Sequence, residues 1–276
     1  MSRHYSITIG SRVAAYERLS HLPAFHPAAM KLLAISSEAD SAITDFEGVF
    51  KADPALTADL LLTANSAAFG GRARVETIRH ALTLLGLERV RALASNIMLA
   101  AYVKQLPAEQ IRPLWLHGIA TAVVGEILGK SYNIPGMYTV GLLHDLGRLG
   151  LLLSGGQRYA ELMAAEVAGV SDAIEQETAL CGMNHCDAGA LLAQTWGFPE
   201  ILQVAMVEHH GNRAVSSGSL VGLVQIACRM ADWLGFAELK RQDLAPPILP
   251  QRVLDSPELE PERVLDQIKK QSAILA

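Results

Sequence analysis

From Ile78 the chain places Ile78, Ala81, Leu82 and Leu85 at i, i+3, i+4 and i+7, and from Val90 the period returns with Leu93, Ala94, Ile97 and Ala101. That spacing lines one face of a helix with apolar side chains. The same period predicts helices over 28–35, 43–50, 55–68, 115–128, 159–168, 172–180, 184–196 and 199–207, a long helix containing Asp232, and a last one over 258–274. Breakers separate them. His21-Leu22-Pro23-Ala24-Phe25-His26-Pro27 interrupts the pattern because each proline moves its predecessor out of helical geometry. Asp53-Pro54 supplies a cap and a first-turn proline, Thr77 caps the next helix, and Gly70-Gly71 and Gly86 are stops. Residues 36–40, 133–136, 154–156 and 211–219 read as exits, turns or loops, and Ala245-Pro246-Pro247-Ile248-Leu249-Pro250 as a connector.

Composition narrows this picture to an all-α protein. Half of the residues are hydrophobic but only 5% are aromatic, which favours closely packed Ala- and Leu-rich helices over a β-sandwich. A length of 276 residues suits one large or two small domains. The expected division is a lead-in over 1–20, a helical subdomain over 21–106, a second over 107–240, and a connector with a final helix over 241–276. No run approaches eighteen uninterrupted apolar residues and the first residues lack an apolar signal core, so a cytoplasmic protein without a membrane partner is expected.

Charge excludes one class of partner. A net charge of -5 does not suit nucleic acid, and Arg72, Arg74, Arg79, Arg89 and Arg91 interleave with Glu76 and Glu88, as on a solvated face. Cys181, Cys186 and Cys228 make no zinc-knuckle pair and are expected as reduced core thiols; Trp115, Trp196 and Trp233 are expected as core anchors. There is no phosphate loop and no nucleophile elbow.

The candidate chemistry sits in Gly141-Leu142-Leu143-His144-Asp145-Leu146-Gly147-Arg148-Leu149, where a carboxylate falls inside an apolar helical run. A buried, unpartnered Asp costs several kcal/mol or more, so it must be neutralised, paired or bound to a metal. His117, His185, His209, His210 and Asp232 lie in comparable contexts. Spaced widely enough to come from separate helices, the seven residues could make a metal site in a bundle core.

Two resemblances extend this reading. Leu22-Pro23, Asp53-Pro54-Ala55-Leu56-Thr57-Ala58-Asp59-Leu60-Leu61, Ala64-Asn65-Ser66-Ala67-Ala68-Phe69-Gly70 and Thr77 through Gly86 resemble, in that order, the HDOD (HD-related output domain) family of bacterial signalling proteins. The likeness covers roughly 22–234. It implies a helical N-terminal subdomain packed on an HD-like helical bundle. Within it, the Asn65-Ser66 pair is expected to bond to backbone at a helix end.

The histidine and aspartate order is similar to that of the HD superfamily of metal-dependent phosphohydrolases. By that likeness His117, His144, Asp145 and Asp232 match the one-metal ligand set, Asp145 bridges to a second ion, and His185, His209 and His210 match the added ligands of two-metal members such as the HD-GYP enzymes. One or two Fe, Mn or Zn ions are the implied cofactors. Three departures accompany the matches: Arg148 stands where HD-GYP enzymes have lysine, Pro113 where some carry glutamate, and the Gly-Tyr-Pro signature is absent. They point away from cyclic-di-GMP hydrolysis.

The resemblance therefore implies a regulatory HDOD protein that acts by ligand, metal or partner binding through an HD-like pocket, with a signalling protein as partner and a nucleotide or phosphate as ligand. The alternative is a binuclear phosphohydrolase in which Asp145 bridges and Arg148 clamps phosphate.

Overall fold

The structure, a computed structural model, describes residues 9–22, 27–35, 42–66, 74–103, 107–211 and 218–274. The break at 23–26, the exit at 36–40, the glycine stop at 70–71, Arg72 and most of the loop over 211–219 lie outside them. The chain divides into two compact units, one formed by 1–23 with 103–276 and the other by 24–102. The fold is all-α: apart from one two-residue strand pair, the regular elements among the described residues are helices.

After α1 (Ile9–Ser20), the smaller unit runs through α2 (Pro27–Ala34), α3 (Ala42–Lys51), α4 (Pro54–Ala64), α5 (Ile78–Leu85) and α6 (Leu87–Val103). Its boundaries are set locally. Asp53 accepts from the Ala55 and Leu56 amides, both at 3.0 Å, and Pro54 fills the first turn of α4. Asn65 joins the end of α4 to the strand-like entry of α5: its Nδ2 donates to the Leu61 and Val75 carbonyls at 2.8 Å, and its Oδ1 accepts from the Val75 amide at 2.9 Å. Thr77 caps α5 through the His80 amide, and Gly86, at φ 77°, ends it. Phe46, Phe50, Leu56, Leu60 and Leu82 fill the core.

Arg91 departs from the solvated face that its neighbours suggest. It is buried over the Phe46 ring and donates to the Leu32 and Ile35 carbonyls at the exit of α2. A guanidinium satisfies otherwise orphaned helix-end acceptors there while its stem packs in the core. Arg79 keeps the expected exposed setting, paired with Glu47.

The larger unit is built on α7 (Ala108–Tyr132). This helix starts seven residues earlier than its apolar pattern suggests, because Pro113 lies close enough to the N-terminus to remove only one intrahelical bond. By length and composition it could cross a bilayer, but 67% of its most apolar window is buried within the protein. Around it come α8 (Met137–Leu143), α9 (Leu146–Ala164), β1 (Glu166–Val167), α10 (Val170–Cys181), α11 (His185–Thr195), α12 (Glu200–Glu208), α13 (Leu220–Ala231), β2 (Lys240–Arg241) and α14 (Pro261–Ile274). The turn expected at 154–156 is a kink within α9, where Gly156 has φ 55°. A π-helical turn, Asp232–Phe236, follows α13, and β2 pairs in parallel with β1.

The first and last described helices, α1 and α14, join this unit. On α1, Leu19 is fully buried and meets Leu192 at Gly150, so the lead-in is part of the packing. On α14, Val264 and Ile268 are buried where the helix lies along α7. Trp196 is buried as expected and Trp115 half-buried, whereas Trp233 is 40% exposed on the π-helical turn.

Close backbone approach positions the helices that carry the histidines. A Cβ on Gly141 would stand 2.7 Å from the Thr121 carbonyl oxygen, and one on Gly147 would overlap the His185 carbonyl. Glycine at these places lets α8 press on α7 and the start of α9 press on the start of α11.

Candidate metal centre

His144 and Asp145 occupy the junction between α8 and α9 and not a helix interior. Asp145 stands at the N-cap of α9, where an Asp side chain ordinarily accepts from the first-turn amides. Here it makes no such bond. Its Oδ2 accepts from Arg148 Nε at 2.8 Å, and its Oδ1 points inward without a hydrogen-bond partner among the described residues. The positive end of α9 favours the charged carboxylate that the missing cap bonds leave available.

The other elements bring histidines to this atom. His117 comes from the middle of α7, His185 begins α11, His209 and His210 follow α12, and Asp232 follows α13. Ring centroids are 5.2 Å apart for His117 and His144, 4.9 Å for His144 and His209, 5.3 Å for His185 and His209, and 4.2 Å for His209 and His210. The first four imidazoles are at most 2% exposed. All seven residues singled out in the sequence therefore meet in one buried cluster.

One ring nitrogen of each of four histidines is already committed. His144 Nδ1 donates to the Gly141 carbonyl at 2.7 Å, His209 Nδ1 to Met206 at 2.9 Å, and His117 Nδ1 to Phe236 at 3.1 Å. His185 Nδ1 lies 2.5 Å from Glu177 Oε2. Carbonyls and carboxylates only accept, so these Nδ1 atoms carry protons; His144 and His209, held neutral, present Nε2 lone pairs to the centre, and His117 and His185 do so once they lose a proton. The Nε2 atoms of His185, His209 and His210 and Asp145 Oδ1 have no hydrogen-bond partner among the described residues, while Asp232 Oδ1 and Glu238 Oε2 flank His117 Nδ1 at 3.3 and 3.1 Å. Asp145 Oδ1 is 3.9 Å from both His185 Nε2 and His209 Nε2, beyond direct hydrogen bonding.

Charge balance points the same way. Asp145, Glu177, Asp232 and Glu238 are buried around two guanidiniums, Arg148 and Arg241. Arg148 is 1% exposed and binds Glu177, Asp145 at 2.8 Å and Glu238 at 3.1 Å. Arg241 holds Asp232 Oδ2 at 2.9 Å. Ionised, the four carboxylates exceed the guanidiniums by two negative charges, which buried protein tolerates only with added cations or protons.

The pKa shifts express that stress. Burial raises Asp145 although Arg148 pulls it down, and burial lifts Asp232 to about 6 against the attraction of His117. Glu177 is also penalised by burial, but Arg148 and His185 hold it at about 2. Burial and His117 depress His144 to about 3, and burial with neighbouring imidazoles takes His209 and His210 well below the usual histidine range. Burial and Arg148 oppose protonation of His185, yet Glu177 and Asp145 push it up to about 10. His117 also rises, because Glu238, Asp232 and Asp145 outweigh its burial.

The donor set fits a divalent metal. Imidazole nitrogens with fixed tautomers, inward carboxylate oxygens and excess negative charge are what such an ion needs, and the anchored Nδ1 atoms are the usual support for metal-binding histidines. Groups within ligand distance of one another include His185 with His209 and His210, and His144 with Asp145 and His209. Three participants escaped sequence reading. Glu177 sits between Ala173 and Cys181 on the buried face of α10, a helical spacing that could have marked it. Cys228 precedes Asp232 by one helical turn, and Glu238 follows an irregular turn and had no periodic signal.

The HDOD domain family matches residues 22–212. The chain belongs to that family. A structure of an HDOD domain protein of unknown function from Geobacter sulfurreducens aligns with TM-score 0.67 and 20% identity over 97% of both chains. A candidate signal transduction protein from Marinobacter aquaeolei VT8 aligns with TM-score 0.65 and 19% identity, covering 99% of this HDOD chain and 65% of the other. A candidate phosphohydrolase from Shewanella amazonensis SB2B gives 0.60 and 22% over 94% of both. These likenesses establish a shared fold. An uncharacterized protein of Treponema pallidum (strain Nichols) is 25% identical over 198 residues, which are 70% of this chain and 38% of the relative's length.

Proposed function

We propose that this HDOD chain is a signal-transduction module whose larger unit holds one or two divalent ions, Fe, Mn or Zn, and signals by binding a ligand, metal or protein partner. The observation that carries the reading is the shared orientation of His117, His144, His185 and His209. Their Nδ1 atoms face fixed acceptors, and the Nε2 atoms of His185 and His209 converge on the unpartnered Oδ1 of Asp145. His117, His144, Asp145, His185, His209, His210 and Asp232 would hold the metal. A bound ion there supplies Lewis acidity toward a phosphoryl or other anionic group.

The chain's own residues favour binding over turnover. Arg148, the residue that a hydrolytic mechanism would aim at phosphate, spends its charge on Asp145, Glu177 and Glu238 and is shut away from solvent. It acts as a positioning residue, fixing the carboxylate of Asp145 and, through Glu177, the ring of His185. The named phosphohydrolase neighbour and the completeness of the ligand set support a second reading, metal-dependent hydrolysis of a phosphate ester.

Assaying metal-loaded protein against cyclic dinucleotides and aryl phosphate esters separates the two. The binding reading expects ligand retention in equilibrium dialysis without consumption. Turnover that disappears in Asp145→Ala would overturn it in favour of hydrolysis.

A further inference from the structure

We propose that Cys228 is a thiolate ligand, completing a soft His117–His144–Cys228 metal subsite beside the imidazole and carboxylate donors. The inference rests on the metal-binding reading above and adds a ligand of a different chemical class. Three observations carry it. First, the three side chains form a fully buried group with ligand atoms close enough to share one ion. Second, His117 Nε2 and His144 Nε2 are 3.3 Å apart, and Cys228 Sγ is 3.6 Å from His117 Nε2. A tetrahedral zinc with Zn–N near 2.05 Å and Zn–S near 2.3 Å has N···N edges of about 3.3 Å and N···S edges of about 3.6 Å. Third, both Nδ1 atoms donate to backbone carbonyls, so the facing Nε2 lone pairs need a positive charge between them, which is either a proton on His117 or a metal ion in its place.

The fold aims the sulfur at this place. Cys228 lies on α13 one turn before Asp232, and α13 packs along α7, which carries His117. Metal entry would form an S–metal bond while the thiol proton leaves to solvent. A thiolate biases the subsite toward Zn or Fe over harder Mn. Cys181, also buried, lies near Gly155 beside the kink of α9 and serves as an internal control.

X-ray absorption at the metal edge of full-length protein reconstituted with zinc tests the assignment. One sulfur scatterer near 2.3 Å is expected in the wild type and in Cys181→Ser, and none in Cys228→Ser, whose zinc affinity should fall about tenfold or more, the lower end of losses from supporting residues alone. Cobalt substitution gives a second readout: a thiolate-to-cobalt charge-transfer band, lost in Cys228→Ser and in Cys228→Ala, so that misfolding of one variant does not decide the matter. Bound zinc with a purely nitrogen and oxygen shell in the wild type overturns the proposal and leaves the metal-binding reading standing; Cys228 would then only donate a hydrogen bond to His117. Failure of the wild type to take up either metal overturns both.

Discussion

The Nε2 atoms of His117 and His144 face each other at 3.3 Å, while the Nδ1 proton of each ring is donated to a backbone carbonyl, Phe236 for one and Gly141 for the other. The two facing lone pairs need something positive between them, and a proton on His117, held there by Glu238, Asp232 and Asp145 against its burial, supplies it in the metal-free protein. A metal ion binding there would take the place of that proton.

Glu177 supports that cluster from outside. Its Oε2 receives the amide and Nδ1 of His185, and its Oε1 receives Arg148 and Tyr159. Glu177→Gln removes one accepting oxygen and turns an amide NH₂ toward two donors. Metal affinity should fall about 10- to 100-fold. Competition with a chromophoric chelator measures it; an unchanged affinity would show that His185 is held without Glu177.

Two glycines of α9 should respond differently to alanine. At Gly147 the new methyl meets the His185 carbonyl and the Gly189 amide, both backbone, whereas at Gly150 it meets the ends of the Leu192 and Leu19 side chains. Gly147→Ala should therefore lose metal as well as stability. Gly150→Ala should retain metal and cost about 1–3 kcal/mol, the usual range for overpacking. Metal analysis with urea unfolding tells them apart.

In the smaller unit, Asn65 makes three hydrogen bonds that tie the 74–76 entry to α4. Asn65→Ala leaves the Val75 amide and carbonyl short of partners and should cost about 1–3 kcal/mol. Metal content should not change. Chemical denaturation and elemental analysis of the same sample check both halves of this expectation.

Burial, assisted by Glu177, pushes the Cys181 thiol up to about 11. A raised thiol pKa means less thiolate, so at pH 8 only about one thiol in a thousand is reactive. Native Cys181 should label slowly near neutral pH, faster as pH rises toward 11, and quickly once unfolded. Site-resolved alkylation with mass spectrometry follows this, with half-buried Cys186 in the same spectrum. Rapid native labelling at pH 8 would contradict the packing of α10 against α9.

Much of this was legible in the sequence because it depends on local chemistry. Asp53, Thr77 and Gly86 mark helix ends through their own side chains and backbone freedom, and those ends stand where they were expected. His117, His144, Asp145, His185, His209, His210 and Asp232 could be singled out because polar groups in apolar helical runs require an explanation. Other features depend on what the folded chain brings alongside. Asp145 reads as a mid-helix residue until the α8–α9 junction is seen, and Arg91 reads as surface until its carbonyl partners in the α2 exit are known. Arg148 reads as a free cation until Glu177 and Glu238 arrive from distant segments.

The most direct test of the central claim is elemental analysis by plasma mass spectrometry of full-length protein purified without a histidine tag or added metal, beside folded Asp145→Ala. One to two equivalents of Fe, Mn or Zn in the wild type, lost in the variant, are the predicted result. A wild type that contains no metal and takes none up on reconstitution, while remaining folded, would contradict it and leave the histidines as a packed polar network.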